Sequence, residues 1–154
     1  NNEEYDLNHP HLGLAVVISN GTFDRLKPRK YAVKDIEIMS SAFRSMGLMV
    51  LKFQDLTAKQ MYEVLNSVAS LTDFHAKSAT FACAIGSHGE EVEIKDKRQD
   101  GEHTSYDHLI HGTDFPVPTK LLVNIFSNRN CRTLKGKPRL FFIQVDMILK
   151  VIYM

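Results

Sequence analysis

The chain has 154 residues, 44% of them hydrophobic and 24% charged, with a formal net charge of +1. That length supports one domain with a real core, and a near-neutral balance gives no global field for nucleic acid or an acidic membrane, so neither is expected as a partner. No apolar run reaches the ~18 residues needed to span a bilayer, and residues 1–11 are too polar and acidic for a signal peptide.

Two cysteines, Cys83 and Cys131, are too few for a disulfide framework. Both are read as reduced, and the expected location is cytoplasmic. The first residue is not Met, which reads as a processed or trimmed product or a fragment.

Residues 1–11 read as an extended lead-in. Leu12 to Ser19 is nearly all apolar and rich in β-branched residues, a buried strand stopped by Asn20-Gly21. The loop from Asp24 to Lys30 carries Arg25, Lys27, Arg29 and Lys30. It reads first as a solvated basic loop; the alternative is an anion-binding loop beyond the first strand.

Asp35 is expected to cap a helix whose buried stripe is Ile36, Met39, Phe43 and Met46, with Gly47 as its stop. Leu48 to Phe53 is the second strand. Thr57 and Gln60 match a capping box, opening a helix with the stripe Met61, Val64, Leu65, Val68 and Leu71. Ala79 to Gly86 is a third buried strand, in which Cys83 is a small core residue, not a nucleophile. Ser87-His88-Gly89 follows at its end.

Residues 90–109 are charged, lack an apolar period and contain Asp100-Gly101, so they read as a long exposed excursion. The spacing of His103, His108 and His111 fits no tight metal motif, and no metal is expected. Pro118-Thr119 opens a short helix with Leu121, Leu122, Ile125 and Phe126 facing inward. Cys131 reads as an exposed structural thiol, although Arg129 and Arg132 beside it could lower its pKa. After Gly136-Lys137-Pro138, Leu140 to Ile143 form a fourth buried strand that meets polar residues at Gln144 and Asp146.

Buried strands alternating with amphipathic helices imply an α/β fold, a mostly parallel sheet with helices on both faces. Ligands then sit outside the carboxyl ends of the strands. The basic loop around Arg29, Ser87-His88-Gly89 and Gln144-Val145-Asp146 all gather there. Gly-rich phosphate patterns are absent.

Several words of the chain resemble the caspase family, cysteine endopeptidases that cut after aspartate. They are Ser87-His88-Gly89-Glu90-Glu91, His111-Gly112-Thr113-Asp114 with Pro116-Val117-Pro118, Cys131-Arg132-Thr133-Leu134, and Gly136 through Gln144. Gly13 to Asn20 and Asp55 to Ala58 add to them. The resemblance runs from about Tyr5 to Gln144 and covers the family's large subunit only. It implies a caspase-like fold and relation to peptidases of programmed cell death. It also implies protein substrates, a small subunit or a full-length caspase as partners, and no cofactor.

It also implies roles. His88 takes the place of the catalytic histidine and Gly89 that of an oxyanion-hole residue. Arg29 and Gln144 match residues that bind the substrate's aspartate. The family signature is Gln-Ala-Cys followed by Arg/Gln/Gly and Gly, with the histidine ~50 residues upstream. Here the chain reads Gln144-Val145-Asp146-Met147-Ile148, with Asp146 58 positions after His88.

Asp146 therefore stands where the nucleophilic Cys belongs, and a carboxylate does not replace a thiolate there. Asp146 could instead pair with protonated His88 and hold the site shut. The domain plan is a lead-in at 1–11, a large-subunit-like domain at 12–144 with an exposed insertion at 90–109, and a divergent apolar tail at 145–154.

The break after Gln144 is abrupt, as a retained intron, an alternative exon or a faulty gene model would produce. Three readings of function follow: an inactive caspase large-subunit domain; a decoy or regulatory partner of a complete caspase, using a fourth strand left as a bare edge that the tail could cover or make stickier; or a poorly folding product with no role. By resemblance, Tyr5 and Asn8 lean toward the executioner type.

Overall fold

The structure is a computed structural model and describes residues 4–145 and 148–154. Its elements are β1 (His11–Ser19), α1 (Ala32–Ser45), β2 (Met49–Gln54), α2 (Ala58–Ala69), α3 (Thr72–Ala76), β3 (Ser78–Ser87), β4 (Gly89–Arg98), β5 (Gly101–His111), β6 (Pro116–Pro118), α4 (Thr119–Asn124), β7 (Arg139–Val145) and β8 (Ile148–Tyr153). The main sheet has the order β2-β1-β3-β7-β8, with every neighbouring pair parallel except β7 and β8. This is the expected mostly parallel sheet.

Alternate side chains of the central strands leave opposite faces, and each face needs a cover. Ala15 and Val17 meet Ile36 and Phe43 of α1 on one face. Leu14, Val16 and Ile18 on the other join Met61 and Leu65 of α2, together with Phe81, Phe126 and Phe141. Phe81 and Phe126 stack with centroids 4.1 Å apart. Burial of this kind contributes about 1.5–3 kcal/mol per large side chain.

The capping box is present: Thr57 Oγ1 accepts from Gln60 N, and Gln60 Oε1 accepts from Thr57 N. Gly47 lies at φ +95, as a helix stop needs.

Other expectations are corrected. Helix α1 begins at Ala32, so Asp35 lies in its first turn and pairs with Arg29 instead of capping. Leu71 and Leu121 are exposed, not inward, because Leu71 ends α2's stripe at a turn into α3 and α4 buries Leu122 and Val123 instead. The 90–109 excursion is exposed but regular. β4 and β5 pair antiparallel over ten residue pairs and close through a two-residue turn at Gln99-Asp100, and β6 adds a third strand. The fourth main strand is not a bare edge, because the tail returns as β8 and pairs with β7 from Leu140↔Tyr153 to Val145↔Ile148.

Candidate active site

The carboxyl ends of β1, β3 and β7 deliver Ser19-Asn20, Ser87-His88 and Gln144-Val145 to one end of the sheet. Ser19 is level with Gly86, and Gly86 with Gln144. The basic loop crosses above. Arg25, Lys27 and Lys30 are exposed, as a solvated loop predicts. Arg29 differs: its side chain is 9% accessible, Nη1 donates to Asn20 O at 2.8 Å, and Nη2 lies 3.2 Å from Asp35 Oδ2.

A Cβ at Gly86 would stand 3.2 Å from Nη2 of Arg29, so the guanidinium lies flat across the end of β3. Arg29 has five N–H donors, and these two contacts leave others for a ligand carboxylate.

Arg29, His88 and Gln144 line one cleft of about 510 Å³, with Lys30, Lys34 and Asp35 around it. His88 is half-buried. Its ring tilts against Phe23 at 4.7 Å, and Nε2 lies 2.6 Å from Lys27 O. A carbonyl only accepts, so Nε2 carries the proton.

Gly89 is required by packing. A Cβ there would meet Val145 Cγ1 at 2.3 Å and Leu109 O at 2.9 Å, where β7 and β5 close on the start of β4. Asp146, and its suggested pairing with His88, lie outside the described residues.

Both cysteines are elsewhere. Cys83 sits inside β3 level with Val16 and Phe141, and burial pushes its thiol up to about 12. Cys131 is buried, not exposed, with Sγ 3.6 Å from Ala69 O. Burial raises its pKa against smaller opposing effects of Thr133, Leu134, Arg139 and Lys137. The suggestion that Arg129 and Arg132 activate it is therefore corrected: desolvation outweighs nearby charge.

His103, His108 and His111 do not converge; their partners include Asp100, Thr119 and Glu90 respectively. Among the described residues, no group of three or more His, Cys, Asp or Glu could hold a metal ion.

Sequence reading missed the groups that hold this end of the sheet together. Asn20 is fully buried: Nδ2 donates to His111 O and Oδ1 accepts from Leu56 N. Ser87 Oγ donates to His111 O at 2.6 Å. Asp114 Oδ1 accepts from Ala58 N, the first amide of α2, and from Phe115 N. Gly112 presses on the same helix start, where a Cβ would lie 2.2 Å from Ala58 N. The signal for Asn20 was its place, a polar amide ending an apolar strand.

The mostly parallel sheet with helices on both faces is consistent with a caspase-like α/β fold. The profile described as "Caspase domain" matches residues 12–145, and the chain belongs to that family of cysteine peptidases. Among curated relatives, caspase-7 of Gallus gallus is 34% identical over 92% of this chain and 41% of its own length. Caspase-3 of Bos taurus is 32% identical over 92% of this chain and 46% of its own. Caspase-3 of Mus musculus is 30% identical over 91% and 45%. The chain thus spans less than half the length of these relatives. No helix among the described residues is long and apolar enough to cross a membrane.

Proposed function

We propose that this chain is the large-subunit portion of a caspase-family domain that keeps the aspartate-reading side of the site and has lost the thiol chemistry. The carrying observation is the shared cleft of Arg29, His88 and Gln144. Arg29, braced by Asn20 O and Asp35, offers its remaining N–H groups to a substrate carboxylate. Gln144 adds an amide donor beside it. His88, oriented through Nε2 by Lys27 O, takes the role of base toward a thiol at position 146. Gly89 takes the place of an oxyanion-hole residue, its backbone N–H being the group that would donate to a developing oxyanion.

That position carries Asp146, and neither buried cysteine substitutes for it. Peptide hydrolysis therefore does not proceed on this polypeptide alone, and its cellular context is programmed cell death, as a silent or regulatory member located in the cytoplasm. Its partners in that role are peptide carboxylates or a complete caspase.

The purified chain is assayed with aspartyl peptides. The reading predicts no turnover above buffer. Turnover that survives His88→Ala places the chemistry elsewhere, and turnover that vanishes with Cys131→Ala makes that thiol the nucleophile.

A further inference from the structure

A second cleft lies away from the candidate active site. It measures about 660 Å³ and lies at the opposite end of β7, between the end of α4 and Arg139. Gln144 is five positions on from Arg139, which at ~3.3 Å per residue is about 17 Å of strand.

Arg139 is only 5% accessible. Its Nε donates to Lys137 O at 3.2 Å and its Nη1 to Phe126 O at 2.8 Å. Among the described residues no carboxylate lies within ion-pair distance of it, whereas Arg29, the other deeply placed arginine of the fold, has Asp35. A buried guanidinium without a counter-charge is costly, and arginine is rarely buried without a partner. Two carbonyl dipoles satisfy two N–H groups and leave the full charge uncompensated.

The walls around it suit an anion. Exposed Arg129 brings a second cation, and Asn124 and Asn130 bring side-chain amides. Ser127 Oγ accepts from Asn130 N, so its hydroxyl hydrogen remains a donor. Met154, whose O accepts from the Arg139 amide at 3.3 Å, also lines the cleft, and Glu4 lines an adjoining hollow behind Arg139.

We propose that this cleft is an anion-binding site in which Arg139 and Arg129 take a phosphate-class oxyanion, free or carried as an ester. The planar fork of arginine matches phosphate oxygens two at a time, and partial burial strengthens the pairing. The proposal is independent of the reading of the His88 cleft.

The test titrates the whole chain with inorganic phosphate, and separately with phenyl phosphate, at constant ionic strength set with chloride. Amide chemical shifts and thermal stability are followed. The expected result is a saturable response centred on the amides of residues 124–130 and 139, weakened about tenfold by Arg129→Ala, the loss of one charged hydrogen bond. Arg129→Ala should leave the stability without phosphate unchanged, since its side chain is exposed.

Arg139→Lys, which keeps the charge but loses the fork, should weaken binding as well. Tighter phenyl phosphate binding assigns the site to an ester and equal binding to the free ion; both uphold the site. A response matched by chloride, confined to the amides of residues 29–34, or unchanged in Arg129→Ala overturns it.

Discussion

His88 and Lys27 are joined through the backbone: the imidazole Nε2 donates to the carbonyl oxygen of Lys27 at 2.6 Å. The basic loop therefore reaches the histidine through a backbone carbonyl. The bond fixes which ring nitrogen carries the proton and orients the ring. Phe23 packs against the same ring and limits its rotation.

The two thiols give the first prediction. Cys83 and Cys131 are both buried, with pKa values pushed up by desolvation. In the folded protein at pH 8, neither should react with a water-soluble disulfide reagent on the timescale of a free thiol, and two should react after denaturation. Rapid labelling of Cys131 in the native state would contradict its burial.

Asp114 ties the segment after β5 to the start of α2. Its carboxylate is held below the usual range, chiefly by the Ala58 N–H. A carboxylate with a lowered folded pKa stabilises the fold fully above its unfolded value of about 3.9, and that contribution is lost as pH falls through the folded value. Asp114→Ala should cost about 1–2 kcal/mol in urea unfolding at pH 6. The gap from the parent should narrow toward pH 3; a gap independent of pH sinks the argument.

His75 is fully buried, with Nε2 donating to Val68 O at 2.7 Å and Nδ1 without a partner. Burial lowers its pKa, so the folded state holds it neutral. The unfolded chain takes up a proton near pH 6.5. The stabilisation is thus present above that pH and fades as pH falls below it toward the lowered folded value. His75→Phe should flatten the fall in stability between pH 7 and pH 5, whatever its effect at pH 7. An unchanged slope would mean that His75 does not titrate this way.

Removing the tail tests β8. A deletion of residues 148–154 uncovers the edge of β7, an apolar strand with free backbone donors and acceptors. The shortened chain should associate or precipitate at concentrations where the parent is monodisperse by size-exclusion chromatography. A shortened chain of unchanged size and melting temperature would mean that β8 does not hold that edge.

The central strands were legible because burial on both faces leaves an apolar run that little else produces, as in Leu14–Ile18 and Phe81–Ile85. Thr57 and Gln60 announced a helix start because a capping box is local chemistry. The β4–β5 hairpin was not legible: Val92 and Ile94 alternate, but charged residues surround them and no core selects their face. Cys131 was misjudged because its arginine neighbours are near in sequence while Ala69, which covers it, is not. Asp35 was assigned to its own helix because its partner, Arg29, is fixed by tertiary contacts. Of the candidate site, His88, Gly89 and Gln144 stand in motif words and Arg29 in a basic loop outside them, whereas Asn20 and Asp114 depend on which loops meet.

The most direct test of the account is to place a thiol at position 146 and measure its ionisation. In Asp146→Cys, the pH dependence of alkylation should show a new thiol with a midpoint roughly one unit or more below the ordinary value near 8.5, because His88 stabilises the thiolate. Adding His88→Ala should return the midpoint to that value. A thiol that titrates at or above 8.5, or one indifferent to His88→Ala, would contradict the claim that this chain is a caspase-type site lacking only its nucleophile on this side.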